Sequence, residues 1–161
     1  MKILIFGLLQ ENGLIEEVLP WYSPVMPKPA YQNTTSDAFW DTPIYADHNE
    51  VRANRIDARL VKKEVCTIVE ISCPWIESRA KKDEEKTLKC GPMMWELRKR
   101  YNGYRVEQYI VIIEVLGGYS KHLEKSVRKL LGARARGVLE QMQKSVISNT
   151  FNIARTFKIN I

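Results

Sequence analysis

The stretch RIDARLVKKEVCTIVEIS, Arg55 to Ser72, limits what this chain can fold into more than any other. Two β-rich runs flank a polar KKE, which is the pattern of a β-hairpin. A two-residue turn at Lys63-Glu64 pairs position 62 with 65, 60 with 67, 58 with 69 and 57 with 70. Ile56, Ala58 and Leu60 then share a clean apolar face with Thr67, Val69 and Ile71. The opposite face carries Asp57, Arg59 and Val61 with Cys66, Ile68 and Glu70. A slip of one residue mixes the two faces, so the pattern itself specifies the register. Lys-Glu is a poor pair for a primed turn, and a longer loop with a bulge is the alternative.

This register sets Asp57 across from Glu70, with Cβ atoms roughly 4.5–5.5 Å apart. Paired carboxylates repel unless a cation or a proton lies between them. One reading is a metal site. Hard oxygen ligands suit Mg²⁺ or Mn²⁺, and such an ion can activate water and stabilise a leaving phosphate oxygen. Glu50, on the preceding run, is a candidate third ligand. A lysine close by would act as a compact positive charge. The other reading is an ion pair with Arg52, Arg55 or Arg59, which neutralises the acids without a metal.

The rest of the chain is arranged around this hairpin. Residues 20–43 hold five of the seven prolines and read as an irregular, extended arm, with a weak helix before it at about Leu9–Leu19. IYADHNEVRA, from Ile44, alternates loosely as a strand. Residues 77–101 are helical in composition, and Gly91-Pro92 is expected to divide them into two pieces. The run Tyr109–Leu116 is nearly all apolar and reads as a strand buried on both faces. Gly117-Gly118 reads as the turn that ends it, and Trp75 as a packing anchor at a strand exit.

Two helices close the chain. Ser120 is placed to cap the first, with Leu123, Val127, Leu130 and Leu131 as its stripe. Val138, Leu139, Met142, Val146, Thr150, Ile153 and Phe157 form the stripe of the second. The order of elements implies an α/β domain with a mixed sheet of about four strands and flanking helices. It divides into an N-terminal segment and arm (1–43), a core (44–118) and basic C-terminal helices (119–161).

Charge separates along the same lines. Residues 1–118 hold 16 Lys and Arg against 17 Asp and Glu, a net of −1. Residues 119–161 hold 9 against 2, a net of +7. A basic end of this kind suits a polyanion, nucleic acid first. Lys121, Lys125, Arg128 and Lys129 lie away from the apolar stripe, and with Arg134 and Arg136 they are the candidate nucleic-acid contacts. Cys66, Cys73 and Cys90 have no metal-type spacing and read as buried thiols in a reducing compartment. His48 and His122 are too far apart to make a metal motif and read as surface or packing histidines. No apolar run is long enough for a membrane span. The start, MKILIFGLLQ, lacks a small-residue cleavage site, so the expected location is nuclear or cytoplasmic rather than secreted.

The wording YADHNEVRANRIDARLV, VCTIVEISCPW, EKTLKCGPMMWELRKRY and VIIEVLGGYS, with VLPWYSP before and NIARTFK after, spans about Val18 to Lys158. It resembles the restriction-endonuclease-like domain at the C-terminal end of non-LTR retrotransposon polyproteins, within the PD-(D/E)XK nuclease superfamily. The resemblance implies a nuclease-like core and a Mg²⁺-dependent endonuclease that nicks DNA to prime reverse transcription. Asp57 matches the Asp of the family's PD, with Ile56 in place of Pro, and Glu70 matches the second acid, twelve residues intervening. The superfamily's usual lysine position holds Ser72. Retrotransposon members are similar in placing the lysine on the following helix, where Lys82, Lys86 and Lys89 are candidates and Lys86 is the first choice. The implied partners are DNA and element RNA. The reverse transcriptase normally fused upstream is absent from these 161 residues, so the chain reads as a fragment of an element. The alternative is a catalytically inactive nucleic-acid-binding remnant of such an element.

Overall fold

The computed structural model describes residues 2–45 and 55–158. The order is α1 (Lys2–Glu11), β1 (Ala30–Gln32), β2 (Ser36–Trp40), β3 (Ala58–Lys62), β4 (Val65–Ser72), α2 (Arg79–Arg100), β5 (Arg105–Ile112), α3 (Lys121–Leu131) and α4 (Ala135–Phe157). The strands form one mixed sheet in the order β1-β2-β3-β4-β5. All neighbouring pairs are antiparallel except β4 and β5, which are parallel and joined through α2. The chain is therefore α/β, with five strands rather than about four.

The hairpin register agrees with the sequence pattern from Ala58 onward. Ile56 precedes β3 and packs with Cys66 and Ile68 rather than with Ala58 and Val69, so the expected shared face is corrected at that residue. Ala58 pairs with Val69, Leu60 with Thr67 and Lys62 with Val65. The turn has two residues, and both Lys63 (φ 49) and Glu64 (φ 59) adopt the left-handed region. That conformation is the one a primed turn demands, imposed here on residues that do not favour it.

Four sequence expectations about the framework are corrected. Residues 30–40 are not irregular, because β1 and β2 lie within the proline-rich segment. Their turn is set by Asn33, whose Oδ1 accepts hydrogen bonds from the amides of Thr35 (2.9 Å) and Ser36 (2.8 Å). The first helix spans Lys2–Glu11 instead of Leu9–Leu19. Ile3 to Leu9 are all buried in it, and a helix buried on every side shows no amphipathic period. Gly7 lets this helix approach α4, since an added Cβ would stand 3.0 Å from Val138 Cγ2.

Gly91-Pro92 does not divide the third region, as α2 runs unbroken through Pro92. A proline costs a helix interior about 3 kcal/mol. Cys90, Met93 and Leu97, on both sides of it, are fully buried against the sheet and hold the helix together. Finally, β5 is an edge strand and not one buried on both faces. Arg105 is exposed, positions 106–110 are partly so, and only Val111 and Ile112 are buried.

Two clusters pack on opposite faces of the sheet. One joins α1, α3 and α4 to Ala58, Val69 and Val111. The other sets Cys90, Met93 and Leu97 of α2 on Ile56, Cys66 and Ile68. Ser120 caps α3 as expected, its side chain accepting from the Leu123 amide at 3.1 Å. Leu123, Val127 and Leu131 are buried, with Leu130 partly so. The stripe of α4 holds through Val146 but not to its end, where Ala154 is buried and Ile153 and Phe157 are exposed. Trp75 is exposed too, which corrects its reading as a packing anchor. Gly117-Gly118 is the expected turn, with the Gly117 amide bonded to the Glu114 carbonyl at 2.8 Å. Cys66 and Cys90 are buried free thiols, whereas Cys73 is exposed. No described helix is long and apolar enough to cross a membrane.

Candidate active site

Glu70 answers the question posed by its place in an apolar strand. It points from β4 toward α2 and is fully buried. Burying a charge unpaired is costly, and α2 supplies the compensation. The Lys86 ammonium donates to Glu70 Oε2 at 2.5 Å and to Asp57 Oδ2 at 3.2 Å. Lys89 stands 3.5 Å from Glu70 Oε1 in a second ion pair. Lys86, Lys89 and Cys90 fall at i, i+3 and i+4, so one turn of helix faces the carboxylate.

Asp57 sits at the bend before β3. Its carbonyl accepts from the Asp41 amide at 3.0 Å, and its Oδ2 accepts from the Ile71 amide on β4 at 2.7 Å. The hairpin thus fixes Asp57 to the strand that carries Glu70, and the two carboxylates converge on one point. The side chain of Asp57 is about one-third exposed and forms the solvent side of the site, while Glu70 forms its floor.

The electrostatics follow from burial and pairing. Burial acts to lower the Lys86 pKa, but the hydrogen bond to Glu70 and the Asp57 charge outweigh it, and the ammonium is held above its ordinary value. The Cys90 thiol is pushed up to about 12, first by burial and then by the charge of Glu70 beside it. Cys66 is raised to about 11, chiefly by burial. Both buried thiols are therefore unreactive near neutral pH.

The structure brings together Asp57, Glu70 and Lys86. It does not bring Lys82, whose ammonium is taken by Glu85 at 2.5 Å on the exposed face of α2. Glu50, His48 and Arg52 lie outside the described residues. Of the arginines weighed as partners for the acids, Arg55 pairs with Asp41 at 3.1 Å. Arg59 stacks on Phe39, 4.3 Å from the ring centroid, and its buried Nε and Nη1 have no hydrogen-bond partner.

Among the described residues no group of three His, Cys, Asp or Glu side chains is arranged to hold a metal ion. The two acids fit a hard cation in a narrower sense. Their oxygens meet at one positive charge, and Glu70 Oε1 is buried without a hydrogen-bond partner. Asp57 and Glu70 are the residues that could hold Mg²⁺ or Mn²⁺.

The basic helices divide in two. Lys121, Lys125 and Lys129 are exposed at i, i+4 and i+8 of α3 and have no acid partner among the described residues. The arginines do. Arg128 pairs with Glu124 (3.2 Å), Arg136 with Glu140 (3.2 Å), and Arg134 with Glu11 of α1 (3.3 Å).

Two features had no signal in the sequence reading. Glu114, just after β5, is buried and paired with Arg79 at the start of α2 (2.9 Å). A side chain at Gly118 would collide with its carboxylate. Hollows of about 390 and 460 Å³ run along β5 between α2 and α3, sharing Asp83, Ile110 and His122. The acids that converge on Lys86 line neither of them.

No protein-family model matches the chain, and no curated protein matches it.

Proposed function

We propose that this chain is a metal-dependent DNA endonuclease domain with a PD-(D/E)XK-like core, derived from a non-LTR retrotransposon. The observation that supports it is the reach of Lys86. From the helix after β4 its ammonium touches both acids, and that helix is where the sequence resemblance puts the lysine once Ser72 replaces it on the strand. In this reading Asp57 and Glu70 hold Mg²⁺ or Mn²⁺ at the mouth of the site. The ion, when bound, supplies Lewis acidity and a nucleophilic water. Lys86 stabilises the negative charge that develops on the phosphate oxygens. The unpaired lysines of α3 bind the DNA backbone, a contact that weakens steeply with salt. A nick of this kind leaves the 3′-hydroxyl that primes reverse transcription, and element RNA is a second partner of the same basic helices.

Plasmid nicking tests the reading. The full chain is expected to nick supercoiled DNA with Mg²⁺ or Mn²⁺ and not with EDTA. Asp57→Ala, Glu70→Ala and Lys86→Met should each lower the rate by a hundredfold or more. Nicking that is metal-independent, or unchanged in all three variants, removes it.

One observation favours a second reading. Lys86 already bridges both carboxylates and Lys89 pairs with Glu70, so the two acids are neutralised without any ion. An inactive remnant that keeps the fold and binds nucleic acid through α3 accounts for that equally. Salt-dependent DNA binding with no nicking under any divalent cation selects it.

A further inference from the structure

We infer that Lys89 is a positioning residue for Glu70, separate in duty from Lys86: it holds the far oxygen of the buried carboxylate and keeps Glu70 compensated and in place for the ion while Lys86 serves the phosphate. This deepens the proposed nuclease reading and rests on it for the role of Lys86.

The two oxygens of Glu70 face different lysines. Oε2 belongs to Lys86, which also holds Asp57. Oε1 is buried, lacks a hydrogen-bond partner and pairs with the Lys89 ammonium at 3.5 Å. With no ion on the acids, loss of Lys86 as the only compensation would strand a fully buried negative charge, which is strongly destabilising. A second ammonium on the far oxygen removes that obstacle.

The two lysines also differ in setting. Lys86 reaches across the mouth of the site to Asp57, where solvent and substrate enter. Lys89 is one turn further along α2, beside Cys90, has the more exposed side chain of the two (30% against 18%), and stands by the other Glu70 oxygen, Oε1. Its ion pair is with Glu70 and not with Asp57, so it can fix the carboxylate independently of Lys86. Lys89 touches no reacting atom in this arrangement, so its effect is exerted through Glu70.

Two measurements on the full chain decide the matter. The first is a double-mutant cycle between Lys89→Met and Glu70→Gln in the Lys86→Met background, read by urea unfolding. A coupling of tenfold or more in the unfolding equilibrium is expected, and no coupling overturns the inference. Should Lys86→Met/Lys89→Met fail to fold, adding Glu70→Gln is expected to restore folding, and failure to do so also overturns it. The second is nicking kinetics. Lys89→Met should lower kcat about tenfold with KM for DNA little changed, and Lys89→Arg should recover most of the loss. A Lys89→Met enzyme with wild-type kcat overturns the inference while the nuclease reading stands. A wild type that never nicks removes the nuclease reading and the role given to Lys86, and the unfolding cycle then still reports whether Lys89 compensates Glu70.

Discussion

Val69 and Glu70 are neighbours in β4, both buried, on opposite sides of one sheet. Val69 enters a cluster of aliphatic side chains supplied by α1, α3 and α4. Glu70 enters the space beneath α2, where an apolar cluster is interrupted by a carboxylate and the two ammonium groups that face it. The first face is held by volume and will respond to changes in size. The second is held in part by charge and will respond to which partner remains. A strand that serves both must satisfy two different rules at alternate positions, which is why its glutamate looks out of place in the sequence.

The largest effect is expected on the charged face. Replacing both Lys86 and Lys89 with Met leaves Glu70 uncompensated and should cost about 3–5 kcal/mol, measured by urea unfolding. Adding Glu70→Gln should recover most of it, and no recovery would mean that the face is held by packing alone. On the opposite face, Leu139→Ala removes a buried side chain from the aliphatic cluster. A loss of about 2–5 kcal/mol is expected, with no dependence on the charge state of Glu70.

pH separates the faces further. The folded-state pKa of Lys86 lies above its ordinary 10.5. A raised value means that the stabilisation from this pairing is complete below the unfolded-state pKa and is lost as pH rises through the folded-state value. The stability difference between wild type and Lys86→Met should therefore hold steady from pH 7 to about 10 and shrink above that. The difference between wild type and Leu139→Ala should show no such change. The smallest effect belongs to the cap of α3. Ser120→Ala removes the acceptor for the Leu123 amide and should cost about 1 kcal/mol. A midpoint unchanged from wild type would show that the cap is dispensable where α3 is packed on the aliphatic face.

The central hairpin was legible because a period of two leaves only one register with a clean face. Asp57 and Glu70 followed from it without knowledge of the rest of the sheet. Lys86 was legible only through family resemblance, and spacing alone could not separate it from Lys82. Which turn of α2 meets β4 depends on how Cys90, Met93 and Leu97 seat against the strands, and that phase is a property of packing. Much of the remainder was hidden by local signals that tertiary structure overrides. Prolines concealed β1 and β2, although Asn33 carried the turn chemistry. Pro92 suggested a break that buried neighbours on both sides prevent. The all-round burial of Ile3–Leu9 erased the period that would have announced α1. The Arg79–Glu114 pair joins residues 35 positions apart, a distance no local pattern spans.

The open edge of the sheet has a consequence for how the chain behaves in a crowded solution. Exposed strand edges are templates for pairing with other chains. At one end β1 has only three residues, too short to recruit a partner firmly. At the other, β5 puts Arg105 and Glu107, joined at 2.9 Å, along its more exposed half and buries its aliphatic half at Val111 and Ile112. Charges on an exposed strand edge disfavour such pairing, so replacing Arg105 and Glu107 with apolar residues is expected to leave a longer, stickier edge.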